Sequence, residues 1–135
     1  MYSKEIWALD LDTAARTVWG EARGDSSKQA VAHVIVNRAE RGGWWGDTIH
    51  EVCRKPYQFS CWNKNDPNRD KMLALEKDDQ LYKECLAMVA FVVVSDIDPT
   101  DGATHYHTKG IVPPWAVGKK PCLNQGNHLF YNDID

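Results

Sequence analysis

Asp10-Leu11-Asp12-Thr13-Ala14-Ala15-Arg16-Thr17-Val18-Trp19-Gly20-Glu21-Ala22-Arg23-Gly24-Asp25 is the stretch whose reading decides the fold. Leu11, Ala14 and Val18 recur at helical spacing, which predicts an amphipathic helix over residues 10–22 with Asp10 or Asp12 as its N-cap. The next position on that apolar stripe is Glu21. A carboxylate that continues an apolar face points into the interior or onto the floor of a cleft. Gly20 and Gly24 flank it and mark a helix end followed by a tight turn.

Working outward, residues 26–39 read as a second helix. Ala30, Val31, Ala32, Val34, Ile35 and Val36 leave it almost no polar face, so it is expected to be the buried central helix. Gly42-Gly43-Trp44-Trp45-Gly46 reads as a loop, with Asp47 capping a short helix to about Cys53. Pro56 to Asn68 reads as irregular. A long helix is predicted at about 70–95, from Leu81, Cys85, Met88, Val89 and Val92 at helical spacing. Pro99-Thr100-Asp101-Gly102 is turn chemistry. Ala103–Thr108 and His128–Asn132 are predicted strands, joined by a Pro- and Gly-rich loop that carries Trp115. The class is α+β, mainly helical with a small antiparallel β element, and the 135 residues suit one domain over 1–135.

Hydrophobic residues make up 43% and charged residues 26%, enough to bury a core without metal or disulfide support. A formal charge of −3 argues against a nucleic-acid partner, which calls for a basic balance. No run approaches the roughly 18 apolar residues that span a bilayer, so no membrane insertion is expected. Met1 to Asp10 lacks the basic-then-apolar pattern of a signal peptide, so a protein made in the cytoplasm and released by other means is expected. Cys53, Cys61, Cys85 and Cys122 follow no CxxC spacing and read as free thiols. A Cys53–Cys61 bridge is the alternative for a protein that works outside the cell. Six Trp is an unusual count, serving equally for stacking on sugar rings or for core packing.

Glu21 is the strongest candidate for chemistry. Partial burial against apolar neighbours keeps a carboxyl protonated near neutral pH, as general acid catalysis of glycosidic cleavage requires. The structural alternative is an ion pair with Arg16, Arg23 or Arg38. His105 and His107 alternate on a predicted strand, and with His128 they would make a three-His zinc set. No HExxH motif supports it, so neither metal nor cofactor is expected. Cys61 lies beside Phe59 and Trp62 but matches no thiol-protease signature.

The run Ala15 to Asp25 resembles the signature of the SleB/CwlJ-type cell-wall hydrolases, a family that includes spore cortex-lytic enzymes and phage endolysins. Gln29 to Arg38 is similar to that family's second helix, Gln58-Phe59-Ser60-Cys61-Trp62 to its QFS segment, and Gly102 to His107 to its next strand. Pro114-Trp115-Ala116 and Gly126 to Tyr131 resemble its closing segments. The resemblance runs in order over roughly residues 12–131. It implies a lysozyme-like fold related to lytic transglycosylases, and it places the catalytic Glu on Glu21. One position departs from the pattern: the family's GEARGE carries a second Glu where this chain has Asp25, shorter by one methylene and suited to capping the following helix.

The resemblance implies cleavage of peptidoglycan glycan strands between N-acetylmuramic acid and N-acetylglucosamine, by a monomer. A single clear Glu favours a lytic transglycosylase, which closes a 1,6-anhydro ring without catalytic water, over a hydrolytic muramidase, which needs a positioned water and usually a partner carboxylate. Gln58, Phe59 and Ser60 are expected to touch substrate. Tyr106 and His107 are expected to line the cleft opposite Glu21, His105 to face away, and Trp115 to form a sugar platform. Asp25 is the secondary catalytic candidate, while His128 and Tyr131 are expected to support the hairpin. A zinc amidase or a non-catalytic carbohydrate-binding module would share some of these residues. A phage endolysin is the expected setting.

Overall fold

A computed structural model describes residues 1–134. Five α-helices run Ala8–Ala22 (α1), Lys28–Arg41 (α2), Ile49–Arg54 (α3), Asn68–Leu73 (α4) and Gln80–Val94 (α5). Strands His105–Thr108 (β1), Leu123–Gln125 (β2) and His128–Tyr131 (β3) form an antiparallel sheet in the order β1-β3-β2. Single 3-10 turns occupy Gly43–Trp45, Ser60–Trp62 and Pro114–Ala116. The expected mainly helical α+β class is what the chain adopts.

α1 packs on α2, α3 and α5, and its small residues set the distance. Ala14, Ala15, Val18 and Ala22 are buried along one side and let neighbouring backbones come close. As expected, α2 is the central helix: every side chain from Ala30 to Val36 is buried.

The predicted caps are displaced. α1 starts at Ala8, so Asp10 sits in its first turn and one carboxylate oxygen accepts the Trp7 N–H at 2.9 Å. Its other oxygen accepts the His50 N–H at 3.0 Å, which ties α1 to α3. Asp12 instead accepts from the Tyr82 hydroxyl (2.6 Å) and pairs with Arg16 (3.1 Å). Thr48, not Asp47, caps α3, its hydroxyl accepting the Glu51 N–H at 3.0 Å. Gly20 lies inside α1, and only Gly24, at φ +76°, makes the turn.

The long helix predicted at 70–95 is two helices. Arg16 ends the first by donating to the carbonyls of Met72 (2.7 Å) and Leu75 (3.0 Å), taking up acceptors that a continuing helix would use itself. Asp79 starts the second, its carboxylate accepting the Tyr82 N–H at 2.9 Å. The buried side of α5 is Tyr82, Cys85, Val89, Val92 and Val93; Leu81 faces solvent.

The two predicted strands pair with each other, Tyr106 opposite Phe130 and His107 opposite Leu129. The three-residue β2 was not foreseen, being too short to show an alternation. Pairing puts Tyr106, His128 and Phe130 on the face turned to the helices, and His105, His107 and Tyr131 on the other. The four cysteines are free thiols. Complete burial pushes the Cys53 thiol up to about 12.

Candidate active site

Glu21 sits in the last turn of α1, where the helix meets the Ser60–Trp62 turn and the sheet. Gly20 makes that meeting feasible: a Cβ there would lie 2.7 Å from Cys61 Cβ and 2.8 Å from Cys61 Sγ. The Tyr106 hydroxyl donates to Glu21 Oε1 at 2.6 Å, across 85 positions of sequence. Burial raises the Glu21 pKa above the ordinary carboxylate value, and donation from Tyr106, with the nearby Cys61, offsets part of that rise. Among the described residues no Lys, Arg or His reaches ion-pairing distance of the carboxylate, so the ion-pair alternative does not hold. A part-buried carboxyl with neutral donors and no cation partner suits proton delivery near neutral pH.

The carboxyl opens onto a cavity of about 380 Å³ whose wall includes Arg38, Tyr57, Gln58, Ser60, Tyr106, His107 and His128. Glu21 is the one carboxylate among the described residues of that wall. A second cavity of about 560 Å³ adjoins it, sharing Arg38, Tyr57, Gln58 and Tyr106, and adds Trp44, Trp45, His105 and Trp115. Ring contacts line its aromatic side: Trp44 to Trp45 at 4.9 Å and Trp45 to His105 at 5.3 Å, both edge-on, and His105 to Trp115, tilted, at 5.0 Å between ring centres. Flat aromatic faces in a groove with few charges suit stacking on sugar rings.

Gln58, Ser60, Tyr106 and His107 thus reach the Glu21 cavity, and Trp115 reaches the adjoining one. Phe59 does not: it is 1% exposed, packed in the core beneath the Arg38 guanidinium, and cannot touch a substrate. His105 does not face away. Strand alternation puts it on the same side as His107, against Trp45 and Trp115. His107 is bonded to the Tyr131 hydroxyl (2.8 Å) and His128 to the Ser27 hydroxyl (2.7 Å). No group of three or more metal-type ligands converges among the described residues.

Asp25 lies outside both cavities. Its carboxylate accepts the Ser27 N–H at 2.9 Å and the Asn127 N–H at 3.1 Å, joining the α1–α2 turn to the β2–β3 hairpin. Burial opposes its ionisation, and these backbone donors more than offset that, so its pKa is lowered. Asp66 raises the Glu21 pKa slightly through its charge but lines neither cavity, its Oδ1 accepting the Asn68 N–H.

Trp44, Trp45 and Tyr57 carry no site role in the sequence reading, and Arg38 enters it only as a candidate ion-pair partner of Glu21. Two adjacent Trp in a glycine loop, away from any core helix, were the available signal for the aromatic wall. Arg38 is 6% exposed, donates through Nε to the Thr104 carbonyl at 2.8 Å and stacks on Trp45 at 4.1 Å. Its Nη1 has no partner, and burial lowers its pKa to about 10. Tyr57 is 86% exposed and held at φ 65°, a left-handed conformation unusual for a bulky residue. Neither feature leaves a periodic trace in sequence.

The profile of the cell wall hydrolases matches residues 22–131, most of the chain. The chain belongs to the cell wall hydrolase family. Relatives include the spore cortex-lytic enzymes of Oceanobacillus iheyensis, 27% identical over 124 residues, and of Halalkalibacterium halodurans, 26% identical over 129. These matches take in 90% and 91% of this chain but only 41% and 34% of the relatives' own length. The fold is that of the catalytic domain of Bacillus cereus SleB, with a TM-score of 0.73 at 24% identity over 95% of this chain and 93% of that one. The catalytic domain of the germination-specific lytic transglycosylase SleB from Bacillus anthracis gives 0.71 at 24% identity, over 95% and 98%.

Two predictions follow from the geometry around Glu21. In an open helix, Gly to Ala stabilises by up to about 1 kcal/mol. At Gly20 the new methyl meets Cys61, so Gly20→Ala is expected to destabilise by about 2 kcal/mol in urea unfolding, as overpacking does. The second concerns pH. With its pKa raised by folding, the Glu21 carboxyl contributes fully below its unfolded value, and that contribution is lost as pH rises through the folded value. Glu21→Gln, which cannot ionise, is therefore expected to gain stability relative to wild type as pH rises from the unfolded value through the folded one. A difference that stays flat across that range would mean the carboxyl is not desolvated.

Proposed function

We propose that this cell wall hydrolase cleaves peptidoglycan glycan strands between N-acetylmuramic acid and N-acetylglucosamine as a lytic transglycosylase, with Glu21 as its acid and base. The observation that carries this reading is the lone carboxyl: raised in pKa, bonded to Tyr106, and opening onto a cavity with no second carboxylate in its described wall. The neutral Glu21 gives its proton to the glycosidic oxygen as the bond from the muramic acid C1 breaks. The sugar's own C6 hydroxyl then attacks C1, and its proton passes to the Glu21 carboxylate. The 1,6-anhydro ring closes, the acid is regenerated, and no water is consumed.

In this reading the aromatic groove formed by Trp44, Trp45 and Trp115 takes adjoining sugars. Arg38, with Nη1 unpartnered, and Gln58 donate to acetamido oxygens. The reading assigns the reaction no metal: His105 packs against Trp115, His107 bonds to Tyr131 and His128 to Ser27. The setting we propose is a phage endolysin that acts singly on the wall once the membrane is opened, a reading supported by the resemblance over residues 12–131 to a family that includes such lysins.

Digestion of purified sacculi in water enriched in heavy oxygen, with EDTA present, tests the chemistry. Each new muramic acid end is expected to be one water lighter than its hydrolytic counterpart, unlabelled, and resistant to borohydride. Glu21→Gln is expected to lower the rate at least ~10²-fold while the protein still folds. Label at the muramic acid C1 would make the enzyme a muramidase, and label at a peptide carboxyl would remove the glycosidic reading altogether.

A further inference from the structure

A third cavity, of about 550 Å³, reaches Tyr57 and is walled further by Arg54, Lys55, Lys64, Trp62, Asn63 and Asn65. Tyr57 lines all three cavities, which therefore adjoin at this residue. Three cations in one wall stand out in a chain of formal charge −3. Among the described residues, none of the three has a carboxylate within ion-pairing distance. Two of them are held by aromatic faces instead: Arg54 lies 4.4 Å from the centre of Trp62, and Lys55 lies 4.4 Å from that of Trp44. Such stacking orders a cation without neutralising it. The side-chain amides of Asn63 and Asn65 make no hydrogen bond among the described residues and sit in the same wall. The cavity therefore offers fixed, uncompensated positive charge together with amide groups able to pair with a peptide backbone.

We infer that this cavity seats the peptide stem of the substrate by its free carboxylates. The inference rests on the glycan-cleaving reading above. In peptidoglycan the stem hangs from the lactyl group of muramic acid, the sugar on which Glu21 acts. A strand with that sugar against Glu21 has its stem leaving beside the scissile bond, within reach of the basic cavity that adjoins at Tyr57. Tyr57, exposed and held in a left-handed backbone conformation, stands as the divider between sugar and stem. The enzyme therefore reads two chemistries at once: flat sugar faces on the Trp side and an acidic peptide on the basic side.

The test compares stem-bearing glycan strands with strands stripped of stems by an amidase. The wild-type enzyme is expected to show a kcat/KM about tenfold higher on the stem-bearing strands, the sum of three partly screened charge contacts. That preference is expected to shrink as salt is raised from about 0.05 M to about 0.5 M. The combined substitution Arg54→Gln, Lys55→Gln and Lys64→Gln is expected to bring the ratio close to one. Lys64→Gln alone, which disturbs no stacked pair, is expected to lower it part of the way. A wild-type ratio of one, a ratio insensitive to salt, or a ratio unchanged by these substitutions would each overturn the inference. So would a preference that disappears when phosphate-bearing wall polymers are extracted from the stem-bearing strands. Failure of the wild-type enzyme to release muramic acid ends from either substrate would instead bring down the glycan-cleaving reading, and needs no variant to detect.

Discussion

The hydrogen bond from Tyr106 to Glu21 is the constraint around which the site is built. It joins the C-terminal turn of α1 to β1, and each partner is placed by a separate part of the fold. The small buried side of α1 lets that helix settle against its neighbours, and Gly20 lets the Ser60–Trp62 turn close in beside Glu21. The pairing of Tyr106 with Phe130 turns the phenol toward the helices. The balance is a narrow one. A fully exposed carboxyl would ionise near its ordinary value and have no proton to give, whereas one surrounded by several donors would be held ionised by them. Donation from Tyr106 and Cys61 offsets only part of the effect of burial, so the carboxyl stays raised in pKa and Tyr106 holds it in place.

Arg38 shows the same economy from the opposite side. A guanidinium this close to the site could have paired with Glu21, and a pair would have held the carboxylate charged. Instead Arg38 is anchored by the Thr104 carbonyl and the Trp45 face, and its Nη1 is left without a partner. A buried donor without a partner costs stability, and such a cost is tolerated where function needs the group unspent. Charge and acid thus share one wall without cancelling each other.

Much of this was legible in sequence wherever a short-range rule operates. The stripe of Leu11, Ala14 and Val18 pointed at Glu21, the apolar run of α2 marked the central helix, and alternation found β1 and β3. What failed depended on contacts distant in sequence. The break between α4 and α5 comes from Arg16 reaching across to the Met72 and Leu75 carbonyls, which no window over residues 70–95 contains. Phe59 reads as a loop aromatic free to meet a substrate, yet it is core, because Arg38 and α2 cover it. The sidedness of His105 follows from a register that neighbouring residues alone do not reveal. Tyr57 has no periodic signature, since its importance lies in a backbone conformation and in its place between cavities.

Asp25 shows why one carboxylate in the cleft is physically coherent. Its side chain is committed to the N–H groups of Ser27 and Asn127, with His128 within 4.0 Å. Gly126, at φ +56°, stands so close that any Cβ there would collide with the Asp25 carboxylate. The hairpin and the acid therefore fit only as a pair, and the lowered pKa of Asp25 follows from that fit. An acid held ionised by backbone donors, outside the cavity wall, is ill suited to activating a water there. Its work is to clamp the hairpin, and with it β3 and the register that turns Tyr106 toward Glu21. In the proposed reaction position 25 serves by holding the sheet in place, and the proton traffic falls to Glu21 alone.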